Sequence, residues 1–506
     1  MRAPARRAAR ETATGFEPRV RTLSNRARPT GCRFWDLALR EHAAVNPAGV
    51  FDDAFSSFFR NVDERYADPV DIPIGDGTRP ISALRARAVL VDSEEGVVSQ
   101  LLRGHLADLF DRSLLVTDVS GAGNNWAHGH SVYGPAHRER FLDAVRKAAG
   151  ACDSLQCFQL IHSLGGGTGS GLGTYLLSAL RDEYPRQLHF ATSVFPSADD
   201  DVITSPYNAT LATAQLSEHA DAIFPVDNAA LAELTTRAAK PTSVGEGARG
   251  VSLVDNATGR VSLVPHPTHG GGAATQRPPA ARAFDGMNNL VAHMLANLTA
   301  SVRFEGALNV DLSDLTSSLV PYPRMQFLLP ALAPLYALRD VRYRPQRLEH
   351  LFTEVLSPQA QLMRCDPKHS TLLACGLLLR GDVTVSDAQR NLARLRPQLR
   401  LPHWNPDGIK VGLCAAPPVG QPQSLLALCN SCAMADVLHD ATARFDRLYK
   451  RRAHLHHFTQ YMDAAGLAEA REAVARVAAD YTARQSAPAP EAALGLLERL
   501  RAEPTA

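Results

Sequence analysis

The chain has 506 residues, so it can bury a large core, and this length indicates roughly two to four domains of about 150 residues each. Its 53 lysines and arginines balance 52 aspartates and glutamates, so the overall charge predicts neither nucleic acid nor an acidic membrane surface as a partner. No apolar run approaches the roughly 20 residues that cross a bilayer, and the one CxxC, Cys429 to Cys432, lacks the second pair of a zinc site, so we expect a soluble cytoplasmic protein with reduced cysteines.

The first 33 residues are strongly basic. Met1 to Arg33 contains nine arginines and only two acids, Glu11 and Glu17. This composition leaves three interpretations open: an organelle transit peptide, a disordered basic arm, or a start that differs from that of the cellular protein. Because no apolar strand is apparent before Phe34, we assign residues 1–33 to a basic N-terminal arm.

Repeated units of strand, loop and helix follow this arm. Phe34 to Val45 is predicted as a helix, and Ala86 to Asp92, Leu115 to Val119 and Phe158 to Ile161 are predicted as short buried strands. Such units predict a parallel sheet with helices on both faces. Ligands bind these sheets at the carboxyl ends of the strands, so the loops after the strands are the candidate site.

The last of these strands enters a glycine loop, Gly165 to Gly171 (GGGTGSG), that opens a helix. Glycines allow backbone N–H groups to turn toward an anion, and the start of the helix adds the positive end of its dipole. The loop lacks the Lys-Ser/Thr ending of a Walker loop and does not spell G-x-G-x-x-G. It is therefore predicted to bind phosphate in another way, the alternative being a turn that only packs closely.

The stretch from Thr236 to Ala283 is rich in Pro, Gly, Thr and Ser, and VSLV occurs in it twice, at Val251 and Val261. It is either a two-strand flap or a flexible insertion, and we favour the insertion. A helix is predicted from Met287 to Ala300, with apolar residues on one stripe. That stripe contains Leu290, Val291, Met294, Leu295 and Leu298.

Shorter strands and helices alternate from Ala300 to Cys429, which is typical of a mixed domain. Apolar spacing then predicts two more amphipathic helices, Val437 to Tyr449 and Ala468 to Tyr481, before a Pro/Ala-rich tail.

Several motifs carry a family resemblance. GGGTGSG, together with GAGNNWAHGH at Gly121 to His130, resembles the tubulin family, and ALNVDL, LVPYPR, CDPKHS and FDRLYKRRAHLHHF follow in the family's order. The resemblance extends from about Gly31 to about Tyr481, and FWDLALREHAAVN, SSFFRNVD, DDVITSPYN and RRAHLHH are most similar to the epsilon subfamily. It implies an α/β fold with a parallel-sheet GTP-binding domain, a central helix, a mixed α/β middle domain and C-terminal helices.

This resemblance sets the expected domain boundaries. They are the arm 1–33, a nucleotide-binding domain 34–284 with an insertion 236–283, a central helix and intermediate domain 285–430, a C-terminal helical region 431–485, and a tail 486–506.

The resemblance also implies a GTP or GDP site with Mg²⁺. The residues expected to cradle the phosphates are Gly165, Gly166, Gly167, Thr168, Gly169, Ser170 and Gly171. Asn124 is expected near the outer phosphate, and Asp92 and Glu94 match the family's magnesium-linked carboxylates, although such an acidic loop is by itself typical of a solvated turn. Asp201 matches the ribose-side acid, whereas the second expected carboxylate is Ser205 here.

Guanine selection is expected to depend on Asn228 and Asn288, because amide side chains both donate and accept hydrogen bonds. Phe284 stands where the family places an aromatic ring against the base. Without the resemblance, either asparagine would be interpreted as a turn or helix-cap residue.

Hydrolysis in the family is completed by a neighbouring subunit, whose LNxDL loop reaches the nucleotide. Asp314 occupies the position of the water-activating glutamate, although an exposed acid at a helix start is the alternative. The segment from Ala337 to Phe352 is shorter than the family's lateral-contact loop. A basic cluster from Lys450 to His457 is either a partner surface or a solvated face.

These features together predict a GTP-binding, tubulin-like cytoskeletal protein that acts in centriole or basal-body microtubule organisation, with at most weak GTPase activity at a subunit interface. Its expected partners are other tubulins, delta-like, alpha or beta, and centriolar proteins, without nucleic acid or membrane. The alternatives are a degenerate scaffold that binds no nucleotide, and an unrelated enzyme with a dinucleotide fold, which the absence of G-x-G-x-x-G disfavours.

Overall fold

A computed structural model describes residues 17–23, 28–47, 51, 53–66, 70–74, 81, 83–94, 98, 102–197, 200, 202–239, 251–254, 261–264, 279–335 and 347–485. The tail 486–506, Asp201 and most of the insertion 236–283 therefore lie outside the described residues.

Within these ranges the strands are β1 Glu17–Leu23, β2 Phe59–Asp63, β3 Val70–Ile72, β4 Ala83–Ala86, β5 Ala88–Asp92, β6 Leu115–Thr117, β7 Leu155–Ser163, β8 Leu188–Phe195, β9 Ala222–Asp227, β10 Val251–Val254, β11 Val261–Val264, β12 Leu329–Ala333, β13 Leu372–Gly381, β14 Ile409–Cys414 and β15 Gln423–Ser431.

The α-helices of the same ranges are α1 Arg28–Val45, α2 Trp126–His128, α3 Gly134–Gly150, α4 Gly173–Glu183, α5 Ser205–His219, α6 Asn228–Ala239, α7 Pro279–Leu298, α8 Ala300–Arg303, α9 Leu312–Leu319, α10 Leu348–Val355, α11 Val385–Leu395, α12 Met434–Tyr449, α13 Leu455–Thr459 and α14 Ala464–Gln485.

A six-stranded parallel sheet forms the N-terminal half, in the order β6-β5-β1-β7-β8-β9. The predicted α/β class is therefore confirmed. The chain moves from β1 outward to β5 and β6 and then returns to place β7 on the other side of β1. This reversal is a topological switch point, the place where open parallel sheets bind their ligands.

The first strand corrects the sequence interpretation of the N-terminus. Glu17–Leu23 lies in the middle of the sheet, with Val20 opposite both Ala88 and Gln159, and α1 begins at Arg28. The assignment of residues 1–33 to an arm outside the fold is thus wrong for these two stretches. The apolar pattern of the sequence did not predict this strand. A central parallel strand is usually a continuous apolar run, whereas EPRVRTL contains three charged residues. Pairing on both edges overrides that local preference.

The sheet separates two hydrophobic cores. In β5, Val89 and Val91 pack into one core, whereas Ala88 and Leu90 pack into the other, as the alternation of a strand requires. The second core contains the apolar stripe predicted for α7, in which Val291, Met294, Leu295 and Leu298 are buried.

A smaller mixed sheet forms the C-terminal half, in the order β12-β15-β13-β14, with β13 and β14 parallel and the other pairs antiparallel. The helices α12 and α14 pack against each other beside α5. None of the eight cysteines forms a disulfide bond. None of the helices in the described ranges is long and apolar enough to cross a membrane.

Of the two interpretations of the insertion, the structure contains the two-strand flap that we did not favour. β10 and β11 pair antiparallel, with Val251 opposite Val264 and Val254 opposite Val261. For the segment Ala337 to Phe352, residues 337–346 lie outside the described part of the chain, and its end forms the start of α10.

A buried ion triad joins the two halves. Glu41 of α1 accepts hydrogen bonds from Arg303 of α8 at 2.6 Å and from Arg380 of β13 at 2.7 Å. All three side chains are at most 1% exposed. Burial by itself would raise the pKa of Glu41, but the two guanidinium groups together outweigh burial and hold the pKa below its usual value.

Candidate functional site

The loops after β5, β6, β7 and β8 converge on one cleft of about 820 Å³ at the carboxyl edge of the parallel sheet. Among the predicted site residues, those that line it are Asp92, Glu94, Asn124, Gly166, Gly167, Thr168 and Gly169. The structure thus brings the two loop motifs and the acidic loop to one place, although they are far apart in the sequence.

The loop after β6 is held in an uncommon backbone conformation. Gly123 and Asn124 have φ angles of +58° and +53°, in the left-handed region that costs a non-glycine residue energy. Asn125 then caps α2, accepting a hydrogen bond from the backbone N–H of Ala127 at 2.9 Å. The two left-handed residues turn the loop so that Asn124 and Gly123 face the cleft.

The glycines of the two loops allow the two backbones to touch. A Cβ on Gly167 would lie 2.7 Å from the carbonyl oxygen of Ala122, and one on Gly171 would lie 2.2 Å from that of Trp126. A Cβ on Gly129 would similarly lie 2.4 Å from the carbonyl oxygen of Gly167. These separations are shorter than carbon and oxygen atoms tolerate. Close packing of the two loops therefore requires glycine at these positions, whether or not a ligand binds there.

The predicted phosphate loop therefore divides into two parts. Gly166 to Gly169 line the cleft, and a Cβ on Gly166 would meet only the amide oxygen of Asn124, at 3.4 Å, so its backbone faces open space. Ser170 and Gly171 are buried behind the loop in a helical turn that leads into α4, and the Ser170 hydroxyl donates to the Gly166 carbonyl. Gly165 packs near Ser205 and Asp200.

Asn208 of α5 connects the two loops, and the sequence analysis did not single it out. Its side chain is fully buried; Nδ2 donates to the carbonyl oxygens of Asn124 at 2.8 Å and Gly165 at 2.9 Å, and Oδ1 accepts from the Trp126 N–H at 2.9 Å. The motif DDVITSPYN contains this residue, but only the fold shows that its amide satisfies three backbone groups.

His162 of β7 supports the glycine loop from beneath. Its Nδ1 lies 2.8 Å from the carbonyl oxygen of Gly169, and Nε2 lies 2.8 Å from the hydroxyl of Ser193. Burial lowers the pKa of this imidazole to about 4, so it is neutral at physiological pH. A neutral imidazole can donate to the carbonyl and accept from the hydroxyl, which fits both contacts.

The acidic loop meets the glycine loop through hydroxyl groups. Ser93 and Thr168 have their hydroxyl oxygens 2.5 Å apart, and Asp92 Oδ1 accepts from the Glu94 N–H at 3.2 Å. Asp92 is buried and Glu94 is exposed, and both line the cleft. In the part of the chain that the structure describes, no group of three or more His, Cys, Asp or Glu side chains could hold a metal ion. These carboxylates consequently fit Mg²⁺ only if phosphate oxygens and water complete the coordination, as this ion prefers.

The residues predicted to contact the base lie on other elements. Asn228 is the half-buried first residue of α6, where Asp227 supplies the helix-capping oxygens, so the cap interpretation of Asn228 is wrong. Asn288 lies within α7 and is 9% exposed, and its Oδ1 accepts from the Thr30 hydroxyl of α1 at 2.8 Å. Its amide N–H groups remain available as donors. Phe284 belongs to α7, but its side chain lies outside the described part.

A segment of the C-terminal half forms one wall of the cleft. Asn125 Nδ2 donates to the carbonyl oxygen of His457 at 2.7 Å, and the Tyr207 hydroxyl donates to that of Ala453 at 3.0 Å. The ring of His128 stacks on Tyr461 with centroids 4.7 Å apart. The nucleotide-side loops and the region after α12 are therefore parts of one site, which the predicted domain boundaries would have separated.

Asp314 lies elsewhere, at the start of α9. The Asp311 carboxylate caps this helix by accepting from the Asp314 N–H at 2.6 Å, and the Asp314 carboxylate pairs with Lys410 Nζ at 3.3 Å. The Asp314 side chain is 51% exposed. Its position agrees with the alternative of an exposed helix-start acid and leaves it available only to a second molecule.

The chain is similar to known proteins along most of its length. Residues 29–236 match the family model "Tubulin/FtsZ family, GTPase domain", and residues 323–443 match "Tubulin C-terminal domain". The chain is 46% identical over 473 residues to the tubulin epsilon chain of Mus musculus, covering 91% of this chain and 95% of that protein. It is 49% identical over 434 residues to the tubulin epsilon chain of Homo sapiens, covering 85% of this chain and 87% of that one.

Proposed function

Because this chain belongs to the tubulin family, we propose that it binds GTP and GDP in the cleft at the carboxyl edge of its parallel sheet and acts as a cytoskeletal subunit. The observation that carries the proposal is the meeting of Gly166–Gly169 and Asn124 in one cleft at the topological switch point. Phosphate oxygens accept hydrogen bonds from backbone N–H groups and hydroxyl groups. The start of a helix also favours their negative charge.

Within this site, the phosphates would lie against Gly165 to Gly171, and Asp92 and Glu94 would hold Mg²⁺ together with the phosphate oxygens. Asn228 and Asn288 would select guanine, and Phe284 would cover the base. Asp201 would contact the ribose. Ser205, which is buried at the start of α5, cannot provide a second carboxylate there, so we expect weaker sugar contacts.

Hydrolysis, where it occurs, would require a neighbour. Asp314 is half exposed and away from its own cleft, so it can act only on the nucleotide of another subunit. In that role the carboxylate would accept a proton from the attacking water, after giving up its contact with Lys410. We expect slow turnover because an aspartate reaches one methylene less far than a glutamate.

The cellular role that we propose is centriole or basal-body microtubule organisation, with a delta-like tubulin, alpha or beta tubulin and centriolar proteins as partners. The named relatives are tubulin epsilon chains, which supports a specialised subunit. The division of the chain that we propose is a nucleotide-binding domain to residue 284, a central helix and intermediate domain 285–430, a helical region 431–485 and a tail 486–506.

The test is the nucleotide content of the purified chain. Protein purified in Mg²⁺ is denatured and its released nucleotide is separated by ion-exchange chromatography, and stripped protein is titrated with GTP, GDP and ATP by calorimetry. Stoichiometric guanine nucleotide with no measurable ATP binding is the expected result. Protein that is folded by circular dichroism but neither carries nor rebinds guanine nucleotide would instead be the scaffold of the alternative hypothesis.

A further inference from the structure

Three histidines line the same cleft as the glycine loop. His128 follows the loop after β6, whereas His454 and His457 come from the segment that joins α12 to α13 and from α13 itself. The two C-terminal rings lie nearly parallel, with centroids 6.0 Å apart. Imidazole is the side chain whose charge changes between about pH 5 and 8, and it donates hydrogen bonds to anions in either protonation state.

The fold holds the backbone at His457 and the ring of His128 in place. The carbonyl oxygen of His457 accepts from Asn125, which caps α2, and His128 is stacked on Tyr461. His454 has a φ angle of +56°, the left-handed conformation that Asn124 adopts on another wall of the same cleft. Non-glycine residues retain such a conformation only where their surroundings require it, and these sites cluster where ligands bind.

The charged groups around the histidines are few. Among the described residues, the other titratable side chains that line the cleft are Asp92, Glu94 and Tyr461. On their own segment the histidines are preceded by Lys450, Arg451 and Arg452. His162 and His130 lie near the loops but stay neutral above pH 6, because burial lowers the pKa of each to about 4. His128, His454 and His457 are the histidines that line the cleft itself.

We propose that His128, His454 and His457 form a histidine subsite that binds the outermost phosphate of a nucleoside triphosphate and so makes the chain prefer GTP over GDP. The inference rests on the proposed function, since it concerns the same cleft. The glycine loop provides neutral backbone donors to every phosphate, whereas each imidazole adds a donor, and a positive charge when protonated, on one wall only. A triphosphate carries more negative charge than a diphosphate and gains more from that wall.

His456 provides a matched control. It lies on α13 next to His457, with ring centroids 4.0 Å apart, but it is exposed and does not line the cleft. Its replacement changes the same residue type in the same helix and leaves all three cleft-lining histidines in place. In the double variant His454→Asn/His457→Gln, both replacements keep a polar side chain, and asparagine tolerates the left-handed backbone at position 454.

The experiment measures the dissociation constants of GTP and GDP for the isolated full chain at pH 6.5 and 8.5, at a fixed excess of Mg²⁺. For the parent, the preference for GTP over GDP should rise by about tenfold at the lower pH, which is the gain of one charge-assisted hydrogen bond over a neutral one. The double variant should lose most of this rise, and His456→Gln should retain it. Protonation of the nucleotide itself affects the parent and the variants equally, because every protein is titrated with the same ligands. It therefore does not alter the difference between them.

Equal pH dependence in the parent and the double variant would overturn the subsite. If circular dichroism shows that the double variant is misfolded, His128→Gln is measured in the same way. A pH dependence equal to that of the parent would then overturn the subsite as well. A parent that binds neither nucleotide at either pH would reject the proposed function itself, whereas binding of both nucleotides without a pH-dependent preference rejects only the subsite. A preference that appears only when a second tubulin is added would assign the histidines to a protein neighbour and would also overturn the proposal.

Discussion

The amide nitrogen of Asn208 lies 2.8 Å from the carbonyl oxygen of Asn124 and donates a hydrogen bond to it. This contact holds the loop at Asn124, whose backbone is left-handed, and Asn208 is not among the residues that line the cleft. The same nitrogen also donates to Gly165, so one fully buried side chain sets the separation of the two loops. Loss of these donors should therefore affect nucleotide binding without removing a group that contacts nucleotide.

The first prediction concerns Asn208→Asp, which keeps the shape of the side chain and replaces two N–H donors by a carboxylate facing two carbonyl oxygens. We expect a loss of about 2–4 kcal/mol in the free energy of unfolding and at least a tenfold, about 1.4 kcal/mol, loss in GTP affinity. Asn430, on β15 of the smaller sheet, is the control. Its Nδ2 also donates to two buried carbonyl oxygens, those of Leu319 and Met325. Asn430→Asp should be destabilised similarly but bind GTP normally in calorimetry. A GTP affinity that falls equally in both variants would show only general destabilisation.

A second prediction follows from the contact between the loops. Gly167→Ala would place a Cβ against the backbone of Ala122 and Asn125, so the loops must separate and GTP affinity should fall at least tenfold, about 1.4 kcal/mol. Gly150→Ala, at the end of α3, meets no atom within 4 Å and should leave the affinity unchanged. Titration with GTP measures the affinity of both variants. Normal binding by Gly167→Ala would disprove the assignment of this loop.

Base selection provides a third prediction. Asn228→Leu and Asn288→Leu should each weaken GTP binding by about 1–3 kcal/mol, because groups on guanine are left without partners. Thr30→Val removes only the hydroxyl that donates to Asn288, so a smaller loss is expected. Competition between GTP and ATP is the measurement. Leucine variants that prefer GTP as strongly as the parent would show that other residues recognise guanine.

The fourth prediction is a loss of stability in acid. Burial, followed by the charges of Arg303 and Arg380, lowers the pKa of His42 to about 2, and burial lowers that of His162 to about 4. A folded-state pKa below the unfolded value of about 6.5 means that unfolding takes up a proton, so stability is complete above pH 6.5 and declines below it. Each group should contribute about 1.4 kcal/mol per pH unit between pH 6 and about 4.

Urea unfolding at pH 7, 6 and 5 measures this slope. His42→Leu should reduce it by the contribution of one proton, since the two ring nitrogens of His42 have no hydrogen-bond partner to lose. The exposed His456→Leu should leave it unchanged. An unaltered slope in His42→Leu would mean that His42 is not the group that takes up the proton.

The fifth prediction concerns turnover and assembly. Isolated chain should hydrolyse GTP barely above background, and stimulation should require a second tubulin. Asp314→Asn should abolish that stimulation while leaving GTP binding intact, whereas Lys410→Gln removes only the ion pair and should preserve it. Phosphate release measures the rates, and equal stimulated rates in Asp314→Asn and the parent would remove Asp314 from the mechanism. Pure protein should form no microtubules, so tubes visible by electron microscopy would contradict this expectation.

The sequence by itself determined the family and the α/β class, and it predicted the phosphate loop. Gly165–Gly171 and Gly121–His130 could be interpreted locally, because each motif is one continuous stretch of sequence and a glycine loop between a strand and a helix is typical of a phosphate site. The amphipathic helices were also predictable, since the stripe of Val291, Met294 and Leu298 repeats at helical spacing.

The tertiary structure decided what depends on distant partners. Glu17–Leu23 becomes the central strand because β5 and β7 pair with it on both edges, although its own residues do not favour a buried strand. Asn208 and His162 support the loops because their hydrogen-bond partners lie on other elements of the fold. His128 comes close to His454 and His457 because α13 packs beside α2. Sequence patterns report local backbone preference, whereas these features depend on contacts between elements. Most of these contacts join residues that the chain separates by tens to hundreds of positions, and only folding brings them together.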